Sequence, residues 1–167
     1  MNFKFCPKCG SKLIEKSAGD DGMIPYCEKC NEYFFNIFPT CVIALVVNQY
    51  NEIVLLKQSY LSDKYMTFPA GYMTEGESAE EAIKREIKEE IGLDAERITY
   101  VVSKWFHLKN ILMLGFFVKV KKSDFVLSSE VDEANWTSIE KVPELLFPET
   151  PDNIARLLYK KYIGGEI

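Results

Sequence analysis

The sequence predicts an α/β protein in which a mixed β-sheet lies between helices, preceded by a small cysteine-bound ribbon. Three features predict it. Two Cys-x-x-Cys pairs fall near the start, apolar runs of strand length recur from residue 40 onward, and helical patterns occupy one place in the middle and one near the end. A chain of 167 residues with 47% hydrophobic content can build one core of ordinary size with a small appendage.

The first element is the ribbon, residues 1–37, with the second domain spanning 38–167. Cys6-Pro-Lys-Cys9 is followed after seventeen residues by Cys27-Glu-Lys-Cys30, a separation that suits a four-thiolate Zn²⁺ site. Each turn places two sulfurs on one side of a tight loop, and two loops complete a tetrahedron with bonds of about 2.3 Å. Gly10, directly after Cys9, suits the backbone twist of such a turn. A redox pair or two disulfides would use the same residues, against the reducing setting that the chain suggests. Four thiolates leave no open position, so this metal would be structural. The segment has too few aliphatic residues to fold alone, and zinc would supply much of its stability. Cys41, alone in a strand, reads as core packing.

TCVIALVV (40–47) and EIVLLKQ (52–58) read as strands joined by the turn-like NQYN. TFPAG (67–71) is a short extended piece broken by Pro69 and Gly71. A helix follows: Ser78 caps it, Glu81 completes a capping box, and Gly92 fits just past its end. Strands are expected near 97–106, 111–120 and 134–138. A last helix, about 152–162, follows Pro151 with Asp152 available for its first turn.

The net charge of −5 argues against a broad nucleic-acid or membrane-binding surface. The start, MNFKFCPKC, lacks the apolar run of a signal peptide. CVIALVV and ILMLGFFV (111–118) fall far short of the roughly 20 residues that span a bilayer. A cytoplasmic setting is the expectation.

The middle helix carries the chemistry. Ala79, Ile83, Ile87 and Ile91 form an apolar stripe at 100° per residue. Glu86, Glu89 and Glu90 lie three and four apart on its flank, where like-charge pairs cost about 0.2–0.5 kcal/mol each. Only Arg85, one turn before Glu89, offers relief within the helix. Charge pattern alone leaves two readings open. One is a solvated helix that tolerates mild repulsion; the other is a hard-oxygen site for Mg²⁺ or Mn²⁺.

The stretch 71–93 decides between them by resemblance. Gly71, Glu77, Arg85, Glu86, Ile87, Glu89, Glu90, Gly92 and Leu93 stand at the nine fixed positions of the Nudix box. The chain therefore resembles the Nudix hydrolases, which cleave a nucleoside diphosphate linked to another moiety. The likeness implies an α/β/α sandwich and one or more Mg²⁺ or Mn²⁺ ions at the substrate pyrophosphate. By position, Glu86 and Glu90 would be metal ligands, Glu89 a ligand or an aid to water activation, and Arg85 would orient the glutamates. Glu77 would contribute at the loop, and Gly71 would allow close backbone approach to phosphate. Which carboxylate is the base stays open.

Ribbon and box together resemble the NADH pyrophosphatase branch, whose closing segment looks like residues 128–162. That alignment would make Glu130 a further metal ligand, place Ala155 beside the nucleotide, and let Tyr72 stack on a base. The branch has a proline-rich array after the box, whereas Ser103, Lys104, Trp105 and Phe106 stand here without prolines. The serine remains, the aromatics could stack on a base or nicotinamide ring, and Lys104 could meet phosphate. Members often carry a further domain before the ribbon, and this sequence starts at the ribbon. The branch also implies activity on NAD-capped RNA and a homodimer. The expected reaction is hydrolysis of NAD(H) to NMN(H) and AMP. The altered 103–110 stretch keeps ADP-ribose, FAD, dinucleoside polyphosphates and nucleoside triphosphates open as substrates. A ligand-sensing regulator without catalysis is the reading from a different class, though no box glutamate is missing.

Overall fold

The computed structural model describes residues 3–167, which divide into a unit ending at Phe38 and a second unit, Pro39–Ile167. The first is a three-stranded antiparallel sheet of β1 (Ile14–Ser17), β2 (Met23–Cys27) and β3 (Glu32–Tyr33), with β2 in the middle. Its small core consists of Cys6, Leu13 and Cys27, with Phe3, Cys9, Cys30 and Phe34 packed against them. So few apolar groups bury little surface, and the cysteines themselves make up much of the interior.

The second unit is built on β4 (Thr40–Val47), β5 (Glu52–Lys57), β6 (Ala70–Tyr72), β7 (Ala95–Phe106), β8 (Ile111–Val120) and β9 (Glu133–Ser138). The strand order is β7-β8-β4-β5-β9, with β6 paired to the start of β4. Only β4 and β8 run parallel, so the sheet is mixed. β4 is buried almost throughout, as expected of a continuous apolar run in a covered sheet.

Helix α1 (Ala79–Ile91) covers one face of this sheet. Ala82, Ile83, Ile87 and Ile91 pack on Val42, Ala44, Val46, Val54 and Leu56. Helix α3 (Ile154–Ile163) covers the other: Ile154, Ala155, Leu158 and Tyr159 meet Ile43, Leu45, Ile53 and Leu55. Alternate residues of each strand serve opposite helices, which is the period of a pleated strand sandwiched on both sides. A one-turn helix α2 (Val142–Leu145) precedes α3.

Two sequence expectations shift. The last helix begins at Ile154, so Asp152 precedes its first turn, and the cap is Asn153, whose side chain accepts from the Arg156 backbone N–H. In α1 the fully buried alanine is Ala82, while Ala79 is only partly covered. The ends of α1 match expectation: Ser78 and Glu81 form a reciprocal capping box, and Gly92 is left-handed at φ +74°.

Candidate active site

The carboxylate cluster grows from α1. Arg85 makes four hydrogen bonds to it and a fifth to a neighbouring carbonyl. Nε and Nη2 grip Glu77 at 3.0 and 2.7 Å, Nη1 reaches Glu86 at 2.7 Å and Glu89 at 3.0 Å, and Nη2 also meets the Tyr72 carbonyl at 3.0 Å. Glu77 accepts from the Thr74 backbone N–H as well, and Arg85 with this bond holds its carboxyl down at about 2. Arg85 thereby ties the loop before α1 to the helix, and three carboxylates share one cation.

Glu90 and Glu86 occupy the inner side. Glu90 is 5% exposed, with Oε1 accepting from Gln58 Nε2 at 3.0 Å and Oε2 from the Ala70 N–H at 3.1 Å. Burial pushes its carboxyl up to about 8, and the negative charges of Glu86 and Glu130 push in the same direction. Burial also raises Glu86 against the pull of Arg85. Glu89 keeps 58% of its side chain in solvent.

The Nudix resemblance implies that Gly71 admits phosphate; in the structure the Glu86 carboxylate lies beside it. A Cβ at Gly71 would lie 2.1 Å from the Glu86 carboxyl carbon and from Oε1. The glycine lets the carboxylate lie against β6.

Glu130 is exposed, on a loop that folds back over the end of α1. The Val126 and Ser128 N–H groups donate to the Ile91 and Glu90 carbonyls, and the Asp132 N–H donates to Lys57 O. Gly92 permits this approach, since a Cβ there would sit 2.7 Å from Val126 Cβ. The loop thus brings Glu130 within electrostatic reach of Glu90. Tyr60, absent from the sequence reading, belongs to the same neighbourhood: burial first, then the charges of Glu90, Glu130 and Glu86, raises its phenol.

The substrate-side candidates are more dispersed. Lys104 pairs with Met113, Met113 with Cys41, and Cys41 with Tyr72, so Lys104 and Tyr72 share one row. Ser103, Leu114, Val42 and Gly71 form the adjacent row. Three inter-strand steps of about 4.8 Å separate the ends of each row. Trp105 and Phe106, half-buried, pair with Leu112 and Ile111 where β7 turns into β8. Tyr72 is exposed. Ala155 is 7% exposed, packed between α3 and the sheet on the face opposite α1.

In the ribbon, Cys6, Cys9, Cys27 and Cys30 have sulfurs within 4.8 Å of one another, and no disulfide joins them. Cys6 and Cys30 sulfurs are 3.8 Å apart, Cys9 and Cys27 sulfurs 3.5 Å. A tetrahedral Zn²⁺ with bonds of about 2.3 Å sets its ligands about 3.8 Å apart, so the donor set and size fit. Gly10 and Asn31, each directly after the second cysteine of a pair, are both left-handed, at φ +72° and +54°. The carboxylates are looser: among the described residues the cysteines alone form such a tight group of three or more. They nevertheless suit a divalent cation by their chemistry. Glu90 is buried with neutral partners only among the described residues, and an ionised group there needs positive charge nearby.

Residues 38–158 match the model of the NUDIX domain. The chain belongs to the NUDIX family of hydrolases. Two curated relatives, both named NAD-capped RNA hydrolase NudC, come from Stutzerimonas stutzeri and Pseudomonas putida; each is 29% identical, over 98% of this chain and 57% of the relative. The chain thus spans a little over half the length of the curated relatives it matches. A NUDIX hydrolase from Nitrosomonas europaea shares the fold, with a TM-score of 0.68 at 22% identity over 97% of this chain and 94% of its own. The family generally uses divalent metals. No helix among the described residues is long and apolar enough to cross a membrane.

Proposed function

We propose that this Nudix domain hydrolyses the pyrophosphate of NAD(H) to NMN(H) and AMP, with NAD-capped RNA as a larger substrate carrying the same linkage. The observation that carries the proposal is the α1 cluster, in which Arg85 holds Glu77, Glu86 and Glu89 beside the buried Glu90. Its surplus of negative charge has no use in a plain surface helix and suits the neighbourhood of a divalent ion. Glu86, Glu90 and Glu130 would hold Mg²⁺ or Mn²⁺, with Glu89 a further ligand or an aid to the attacking water. When bound, the metal would neutralise charge on the pyrophosphate and make that water more acidic. Water adds to one phosphorus, the bridging P–O bond breaks, and the leaving phosphate departs as the second mononucleotide. Arg85 and Glu77 keep the carboxylates in register throughout.

For the dinucleotide, the likeness over 98% of this chain to a protein named NAD-capped RNA hydrolase supports NAD(H), and Tyr72 supplies an exposed ring for a base. Ser103, Lys104, Trp105 and Phe106 would meet the distal half, with Ala155 as part of the supporting wall. The four cysteines would hold a structural Zn²⁺, and their reduced state fits the cytoplasm. The working unit would be a homodimer.

A second reading keeps the chemistry and changes the substrate to ADP-ribose, FAD, a dinucleoside polyphosphate or a nucleoside triphosphate. The proline-free end of β7 favours keeping it. A panel of these compounds, each incubated with Mg²⁺ or Mn²⁺, separates the two by product. Release of AMP and NMNH from NADH at the highest kcat/KM is expected. Slow NADH turnover beside rapid ADP-ribose cleavage would overturn the NAD(H) assignment.

A further inference from the structure

We propose that Gln58 is a positioning residue of the metal site, holding the Glu90 carboxylate in its ligating orientation; this rests on the proposed function above. Gln58 lies just past β5 and continues the series Val54, Leu56 that faces α1. The two preceding members of that series are fully buried and apolar, and at the next place the chain puts an amide that is 4% exposed. A buried amide is costly unless it is bonded. Its Nε2 donates to Glu90 Oε1 at 3.0 Å, across 32 residues of sequence, while the Ala70 N–H takes Oε2 at 3.1 Å.

Two donors on opposite oxygens fix the plane of the carboxylate and the rotation about its last bond. The Ala70 N–H alone would leave that rotation free. Each oxygen keeps a second lone pair, and the charges of Glu86 and Glu130 lie close enough to act on the group they leave facing the cluster. The backbone that carries Gln58 is fixed as well: the Leu61 and Ser62 N–H groups donate to its main-chain carbonyl, and the next residue, Ser59, donates its N–H to the Asp132 carboxylate. Outer partners that orient a metal ligand typically change affinity about 10–100-fold when removed.

Gln58→Met keeps the length of the side chain and removes the donor. Mn²⁺ affinity, read by electron paramagnetic resonance, is expected to weaken about ten-fold or more. In turnover kcat should fall while KM for the dinucleotide stays within about two-fold, since the amide is buried and bonded to Glu90. Unchanged Mn²⁺ affinity and kcat in folded Gln58→Met would overturn the proposal. Should that variant not fold, the wild-type chain still decides it. The Gln58 side-chain amide signals in a ¹H–¹⁵N spectrum are expected to move in step with Mg²⁺ addition, and their standing still while backbone signals of α1 shift would overturn the assignment. A wild-type chain that takes up no Mn²⁺ would overturn the proposed function together with this one, which marks that failure apart.

Discussion

Glu90 shows how one side chain is made both costly and useful. Its carboxyl is pushed up to about 8 chiefly by burial, whereas an unfolded glutamate titrates near 4.3. Between those two values the folded chain keeps a proton that the unfolded chain has lost. Stability from this group is therefore present at low pH and declines as pH rises from about 4.3 through 8. Glu77 has the opposite sign: Arg85 holds it at about 2, so its contribution exists above the unfolded value and is lost as pH falls. Urea unfolding of the metal-free chain between pH 5 and 8 should show stability falling with pH, and Glu90→Gln should flatten that slope. The same variant should stay folded and lose about a hundred-fold or more in turnover, because a ligated cation stabilises transition-state charge by several kcal/mol. Near-normal turnover of Glu90→Gln would remove the basis of the site assignment. Residue identity at 86, 89 and 90 is legible in sequence, because helical spacing places them together. Gln58 is harder to read, although a glutamine extending an inward-facing alternation is a visible signal. The partner of Gly71 is not legible at all, because Glu86 reaches it through tertiary packing.

At the scale of elements, α1 is specified almost completely by local chemistry. The capping box, the apolar stripe and the left-handed Gly92 each act within a few residues, so the helix can be delimited before any fold is known. Ser78→Ala removes the side-chain acceptor of the Glu81 N–H. It should cost about 1 kcal/mol, lowering the melting temperature by about 2–4 °C in a chain of this size. Calorimetry checks this, and no change would mean that the cap is redundant with packing. The end of the chain is less well determined locally. Asp152 and Asn153 are both good caps, and Asn153 is selected because its amide also donates to the Phe147 and Pro148 carbonyls.

For the whole molecule, the ribbon and the Nudix unit rest on different forces. The second unit has apolar cores on both faces of its sheet, while the first has a handful of apolar groups around four cysteines. A metal-dependent fold should lose structure with its metal. Cys27→Ser is expected to abolish zinc retention by elemental mass spectrometry and to open residues up to Phe38 to protease, leaving a resistant fragment of Pro39–Ile167. Retained zinc and an intact ribbon would show that the cysteines are not its ligands. Sequence by itself determined the strands of the second unit, both long helices, the cysteine set and the carboxylate helix, because periodicity, caps and ligand spacing are encoded over a few neighbours; the three ribbon strands were not legible in it. Only tertiary structure decided that Arg85 spans Glu77, Glu86 and Glu89 at once, that the 126–132 loop folds back onto α1 to bring in Glu130, and that Gln58 meets Glu90. Those contacts join segments as much as 40 residues apart, and only the packed sheet and helix fix the distance between them.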